Sequence, residues 1–150
     1  MKKDMHKILV VDDDYTHYIL TREQLNSFNV EVVYASCGSE AIENCIKDDQ
    51  ISLVLMDVKM KGMNGFETAL HIKGFRKNLP ILFQTAFAKE FNKDELMKSI
   101  GNGYMLKPIG KELLISEIMK FIPLTRISGS ENKKDKKIKT ILSFVMANLF

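Results

Sequence analysis

Five short apolar stretches, at residues 8–11, 30–35, 53–56, 81–83 and 104–106, set the tightest limit on how this chain folds. Each is too short for a stable helix and has the length and enclosure of a buried strand. Between and after them lie segments of helical period, at 15–28, 38–47, 64–75, 91–100 and 110–121. The second of these puts Ala41, Ile42, Cys45 and Ile46 on one stripe, and the last does the same with Leu114, Ile118, Phe121 and Ile122. Strand and helix therefore alternate, and parallel strands joined by long right-handed crossovers are the architecture that such alternation supports. The expectation is an α/β fold: a doubly wound, five-stranded parallel sheet with helices on both faces.

In a sheet of that kind ligands gather outside the carboxyl ends of the strands, so the residues just after each apolar stretch carry the information about chemistry. Asp12 and Asp13 follow the first, Asp57 the third and Thr85 the fourth, while Lys107 and Pro108 close the fifth. Three carboxylates on one rim make a hard-oxygen site whose mutual repulsion calls for a cation, and Mg²⁺ with retained waters suits it better than a soft transition metal. The apolar run ending at Met56 aims Asp57 into this cluster, where its carboxylate is placed to attack a phosphorus atom and form an acyl phosphate. Phosphoryl transfer asks mainly for positioning and charge neutralisation. The Lys107 ammonium and the Thr85 hydroxyl supply a fixed positive charge and a donor to a phosphoryl oxygen.

These residues stand within a longer set of motifs: 8–14 (ILVVDDD), 55–60 (LMDVKM), 62–65 (GMNG), Thr85-Ala86 and Lys107-Pro108. In that order, covering residues 7 to about 122, they resemble the receiver domain of response regulators, the phospho-aspartate module of two-component signalling. The resemblance implies a flavodoxin-like fold, Mg²⁺ held by Asp13 and Asp57, by Asp12 through water and by the backbone carbonyl of Lys59, and a histidine kinase or histidine phosphotransfer protein as phosphoryl donor. It implies an aromatic switch at Tyr104 that responds to Thr85, and a cis Lys107–Pro108 bond. Lys59 and Phe87, each two positions beyond a reacting residue, are expected to set the lifetime of the acyl phosphate. The chain departs from the family at Lys61, where proline is common, and at Asn64, where aspartate is usual.

Other readings are weaker. Asp12-Asp13-Asp14-Tyr15-Thr16 also satisfies the D-x-D-x-T pattern of haloacid-dehalogenase-like phosphatases with Asp12 as nucleophile, but the acidic pair such enzymes need beyond the lysine is missing and Asp57 is left without a task. No nucleotide-binding G-x-x-x-x-G-K-[ST] occurs, and Gly101-Asn102-Gly103 reads as a turn. His6, His17 and His71 lack metal-ligand spacing and are expected at the surface or its boundary. Cys37 and Cys45 form no C-x-x-C pair and are expected as reduced thiols. Lys2 and Lys3 lead into no secretory apolar segment, so a cytoplasmic protein is expected.

The 150 residues are expected to divide into a domain at 1–122 and an extension at 123–150. Arg126, Lys133, Lys134, Lys136, Lys137 and Lys139 put most of the basic excess in that extension, which leaves no basic nucleic-acid face on the domain. Residues 128–139 read as a polar linker, and Ile138, Ile141, Leu142, Val145 and Leu149 give 138–150 the period of an amphipathic helix, too short to span a bilayer. Self-docking or dimerisation is favoured over resting on an anionic membrane. With no room for a DNA-binding or enzymatic output domain, the signal is expected to leave through contacts with an unidentified downstream protein, over the 91–121 face. The only catalysis expected is uptake and hydrolysis of the protein's own phosphoryl group.

Overall fold

The computed structural model describes residues 5–86 and 100–128, and residues 141, 143, 144, 147 and 148. In chain order the elements are β1 (His6–Val11), α1 (Tyr15–Gln24), β2 (Val30–Ala35), α2 (Gly38–Lys47), β3 (Ile51–Asp57), α3 (Gly65–Phe75), β4 (Ile81–Thr85), β5 (Gly103–Leu106) and α4 (Lys111–Met119). The strands form one five-stranded parallel sheet, as the strand and helix alternation predicts, and the structure gives its order as β2-β1-β3-β4-β5. The helix expected at 91–100 falls, but for Ile100, outside the described residues.

Alternation along each strand divides the core into two layers. Leu9, Val11, Val54, Met56, Ile81 and Phe83 face α2 and α3, where Ala41, Cys45, Ala69 and Ile72 are buried. Ile8, Val10, Leu53, Leu55, Leu82 and Met105 face the other way, onto Leu25, Leu114, Ile118 and Ile122 beside α1 and α4. The inner strands β1, β3 and β4 are covered on both faces and so read as apolar runs, whereas the edge strands β2 and β5 are mostly half-buried. Ile46 departs from its expected stripe: it is 65% exposed, since Ala41 and Cys45 already turn α2 onto the sheet and Ile46 is rotated off that line.

Helix α1 stops at Gln24, four residues short of the periodic segment. The Leu25 N–H still bonds to the Thr21 carbonyl, but beyond it the backbone turns to meet a distant partner. Asn29 donates to the Thr125 carbonyl at 2.7 Å and Ile127 to that of Ser27 at 2.9 Å, with Phe28 opposite Arg126 in an antiparallel bridge. The Arg126 guanidinium lies 5.2 Å from the centre of the Phe28 ring, and Leu124 is buried in the core. Packing thus continues through Ile127, up to the start of the expected polar linker. Residues 141, 143, 144, 147 and 148 are helical, with Ile141 and Phe144 exposed; the rest of 129–150 lies outside the described residues. No helix among the described residues is long and apolar enough to cross a membrane.

Candidate functional site

The order β2-β1-β3 means that the crossovers leaving β1 and β3 depart to opposite faces, which opens a crevice between the carboxyl ends of those two strands. Asp12 and Asp13 sit where β1 ends, and Asp57 is the last residue of β3. One carboxylate oxygen from each of the three lies within 4.8 Å of the others. Asp12 and Asp57 are buried and Asp13 is exposed, so the cluster has a closed floor and one open side.

Local structure holds each member. The Asp14 carboxylate accepts from the Thr16 N–H at 2.9 Å and starts α1, so the acidic triplet both fills the rim and launches the helix. Asn64 does the same for α3, accepting from the Glu67 N–H at 2.9 Å. Gly65 lets that helix start against the end of β3: any Cβ there would overlap the Asp57 carbonyl. At β4, Thr85 is buried and its carbonyl accepts from the Lys107 N–H at 2.8 Å, which draws the lysine to the rim; the Lys107–Pro108 bond is cis, as expected.

The Lys107 ammonium lies 2.7 Å from Asp12 Oδ2 and 3.6 Å from Asp57 Oδ1. Its preference for Asp12 leaves Asp57 poorly compensated. Burial pushes the Asp57 carboxyl up to about 6; Lys107 opposes that shift, while Asp12 and Asp13 add to it. A floor of hard oxygens that raise one another's charging cost is what a small divalent cation relieves, so the residues present fit such an ion.

Asp12, Asp13, Asp57 and Lys107 are thus brought together, and Thr85 lies at the end of the neighbouring strand β4, its backbone joined to that of Lys107. Lys59 is exposed in the loop after Asp57, and Tyr104 on β5 is half-buried, packed against the core layer that contains Phe83. Phe87 lies outside the described residues. Lys61 donates its backbone N–H to Asp13 Oδ2 over a long 3.4 Å, a contact that proline could not make.

Two residues of the site were not anticipated. His17, expected as a surface or boundary histidine, is half-buried and places Nδ1 2.8 Å from Asp12 Oδ2 and 3.0 Å from the Lys107 ammonium. A signal was present: His17 stands in the first turn after the acidic triplet, and helical side chains lean back toward the N-terminus. Tyr34, on β2, donates its hydroxyl to the Asp12 carbonyl at 2.8 Å and stacks with Tyr18 at 5.0 Å between ring centres. No local sequence pattern announces that contact.

The family model described as the response regulator receiver domain matches residues 8–119. The chain is 34% identical over 132 residues to the uncharacterized transcriptional regulatory protein YrkP of Bacillus subtilis, covering 88% of this chain and 55% of that protein. It is 32% identical over 130 residues to the transcriptional regulatory protein ZraR of Klebsiella oxytoca, covering 87% of this chain and 29% of the relative. The chain therefore spans between about a third and about a half of the length of these relatives. Among solved structures, the Vibrio cholerae chemotaxis protein CheY4 superposes with a TM-score of 0.72 at 28% identity, covering 79% of this chain and 99% of that one.

Proposed function

Because the chain belongs to the response regulator receiver family of two-component signalling, we propose that it takes a phosphoryl group onto Asp57 and acts as a phosphorylation-controlled switch. The observation that carries this reading is the position of Asp57: at the end of a buried strand, beside two further carboxylates and 3.6 Å from the Lys107 ammonium. A carboxylate oxygen of Asp57 attacks the phosphorus of a phosphohistidine on a kinase or phosphotransfer protein; the new O–P bond forms as the N–P bond breaks and the imidazole leaves. Lys107 neutralises charge on the phosphoryl oxygens, and the Thr85 hydroxyl donates to one of them. Asp13, Asp57, Asp12 through water and the Lys59 carbonyl are the groups that would hold Mg²⁺, which when bound supplies the second positive charge to the phosphoryl oxygens.

In this reading Thr85 and Tyr104 transmit the change, and Lys59 and Phe87 set its lifetime by flanking the approach of water. The receiver unit is residues 1–122, and the extension at 123–150, whose first part pairs residues 125–127 with residues 27–29, docks on the unit or pairs two copies. The protein is cytoplasmic, its partners are the phosphoryl donor and a downstream protein, and it is not an enzyme toward other substrates. The expectation that it touches no nucleic acid draws no support from the relatives, two of which are named transcriptional regulatory proteins. The phosphatase reading is not favoured: the Asp12 carboxylate that it makes the nucleophile is already taken by the Asp14 N–H, Lys107 and His17.

Intact mass after incubation with acetyl phosphate tests the proposal. One phosphoryl group is gained in the presence of Mg²⁺ and is absent in Asp57→Ala. An adduct that survives Asp57→Ala but disappears in Asp12→Ala would hand the chemistry to the phosphatase reading.

A further inference from the structure

Asp12 is saturated by its own chain. Its Oδ1 accepts from the Asp14 N–H at 2.9 Å, and its Oδ2 is approached by Lys107 Nζ at 2.7 Å and His17 Nδ1 at 2.8 Å. A carboxylate has no proton to offer, so a hydrogen bond at that last contact needs the proton on Nδ1. In that form the imidazole and the ammonium, 3.0 Å apart, both donate to one oxygen. Neither is needed to orient the carboxylate alone, because Oδ1 is fixed from the backbone and Oδ2 keeps one donor if the other leaves. Of the two, His17 is the freer to move. Its ring is 41% exposed and lines a cleft of about 350 Å³ bounded by Leu20, Gln24, Pro108, Ile109 and Leu114, which gives it room on the side away from Asp12.

We infer that His17 competes with the divalent cation for the Asp12 carboxylate, so that binding the cation and its waters displaces the imidazole toward the cleft. The inference rests on the phosphoacceptor reading above, and it makes His17 a positioning residue that weakens cation binding. An imidazole at this place satisfies Asp12 when no cation is bound and raises the cation concentration at which Asp57 becomes competent to accept a phosphoryl group.

Isothermal titration of the full chain with Mg²⁺ at one buffered pH, without any phosphoryl donor, tests this. His17→Leu removes the competing donor while filling similar space, and its dissociation constant is expected to fall about fivefold, the order set by one hydrogen bond that no longer has to be given up. His17→Asn, whose amide nitrogen takes the place of Nδ1, is expected to restore the native value, which a merely space-filling role would not explain. Unchanged affinity in His17→Leu overturns the inference, and weaker affinity shows instead that the ring orients Asp12 for the cation. Loss of all Mg²⁺ heat in native protein and variants alike would remove the phosphoacceptor reading, and this inference with it.

Discussion

Where the strands of the sheet begin, opposite charges and polar groups face one another. Lys7 Nζ sits 2.7 Å from Asp48, whose other oxygen accepts from the Gln50 N–H, and the Arg76 guanidinium donates to the carbonyls of Asp48, Asp49 and Ile51. Asn102 Oδ1 accepts from both the Ile81 N–H and Lys73. Where the strands end, Asp12, Asp13 and Asp57 crowd around Lys107, and the lysine leans toward Asp12 rather than Asp57. Both rims are built on the same strands, so the difference lies in the residues placed there. The first rim fixes the starts of β1, β3 and β4 with paired groups, and that lets the other rim hold charge that is not balanced. A site that takes up a cation and a phosphoryl group needs such an imbalance, and it is tolerable where the opposite end of each strand is locked.

The largest expected effect breaks the locked rim. Arg76→Ala removes three hydrogen bonds from a charged donor to carbonyls at the start of β3, and a loss of about 2–4 kcal/mol in urea unfolding is expected. Phosphoryl uptake by the molecules that remain folded should be unchanged, since nothing at the far rim has moved. A fall in stability below about 0.5 kcal/mol would mean that water replaces the guanidinium without cost.

Substituting the crowded rim should act in the opposite direction. Asp57→Asn keeps the shape of the side chain and removes a buried charge that the fold holds at a penalty, so the variant is expected to be more stable at neutral pH by about 2 kcal/mol in the absence of divalent cation. The pH dependence carries the same sign. With the folded value near 6 and the ordinary one at 3.8, the folded protein binds the extra proton between them. The penalty is absent below that window, grows as pH rises through it and is complete above it, so this group makes stability fall with rising pH. Asp48, held below its ordinary value chiefly by its hydrogen bond to Lys7, contributes the reverse: stability present above the ordinary value and lost as pH falls through the lowered one. Unfolding curves from pH 3 to 8 for native protein and Asp57→Asn separate the two, because the downward slope between about 4 and 6 should vanish in the variant and Mg²⁺ should suppress it in the native protein.

That contrast also marks how far the sequence reaches. The sheet and the cluster at its carboxyl rim were legible because both follow from short-range pattern: apolar runs of strand length, helical segments between them, and polar residues placed just past the runs. Asp12, Asp13, Asp57, Thr85 and Lys107 need only the topology to meet. His17 required more, since its ring reaches Asp12 through the direction in which a first-turn side chain leans and not through any spacing of ligands. Ile46 kept helical period yet faces solvent, because periodicity narrows a stripe to a sector and packing of Ala41 and Cys45 chooses its centre. The end of α1 was hidden by a pairing almost a hundred residues away: the periodic pattern runs on to Phe28, but the backbone of residues 27–29 is claimed by residues 125–127. Long-range pairing of that kind leaves no mark on either segment alone.

The smallest effect concerns the seam between strand and site. The Tyr34 hydroxyl donates to the Asp12 carbonyl from a half-buried position, while its ring stacks on Tyr18 and stands edge-on to Tyr15 at 5.2 Å. Tyr34→Phe keeps the ring contacts and deletes one neutral hydrogen bond, so about 1 kcal/mol is expected. The Asp12 carboxylate is untouched, held by Asp14, Lys107 and His17 as before. If the two rims divide stability from chemistry as their charges suggest, this variant should lower the unfolding midpoint slightly and leave the Mg²⁺ dissociation constant within twofold. A larger change in Mg²⁺ affinity would show that the Asp12 backbone is itself held in place by the edge strand β2, and that the boundary between the scaffold and the working rim lies one strand further out than the carboxylates alone indicate.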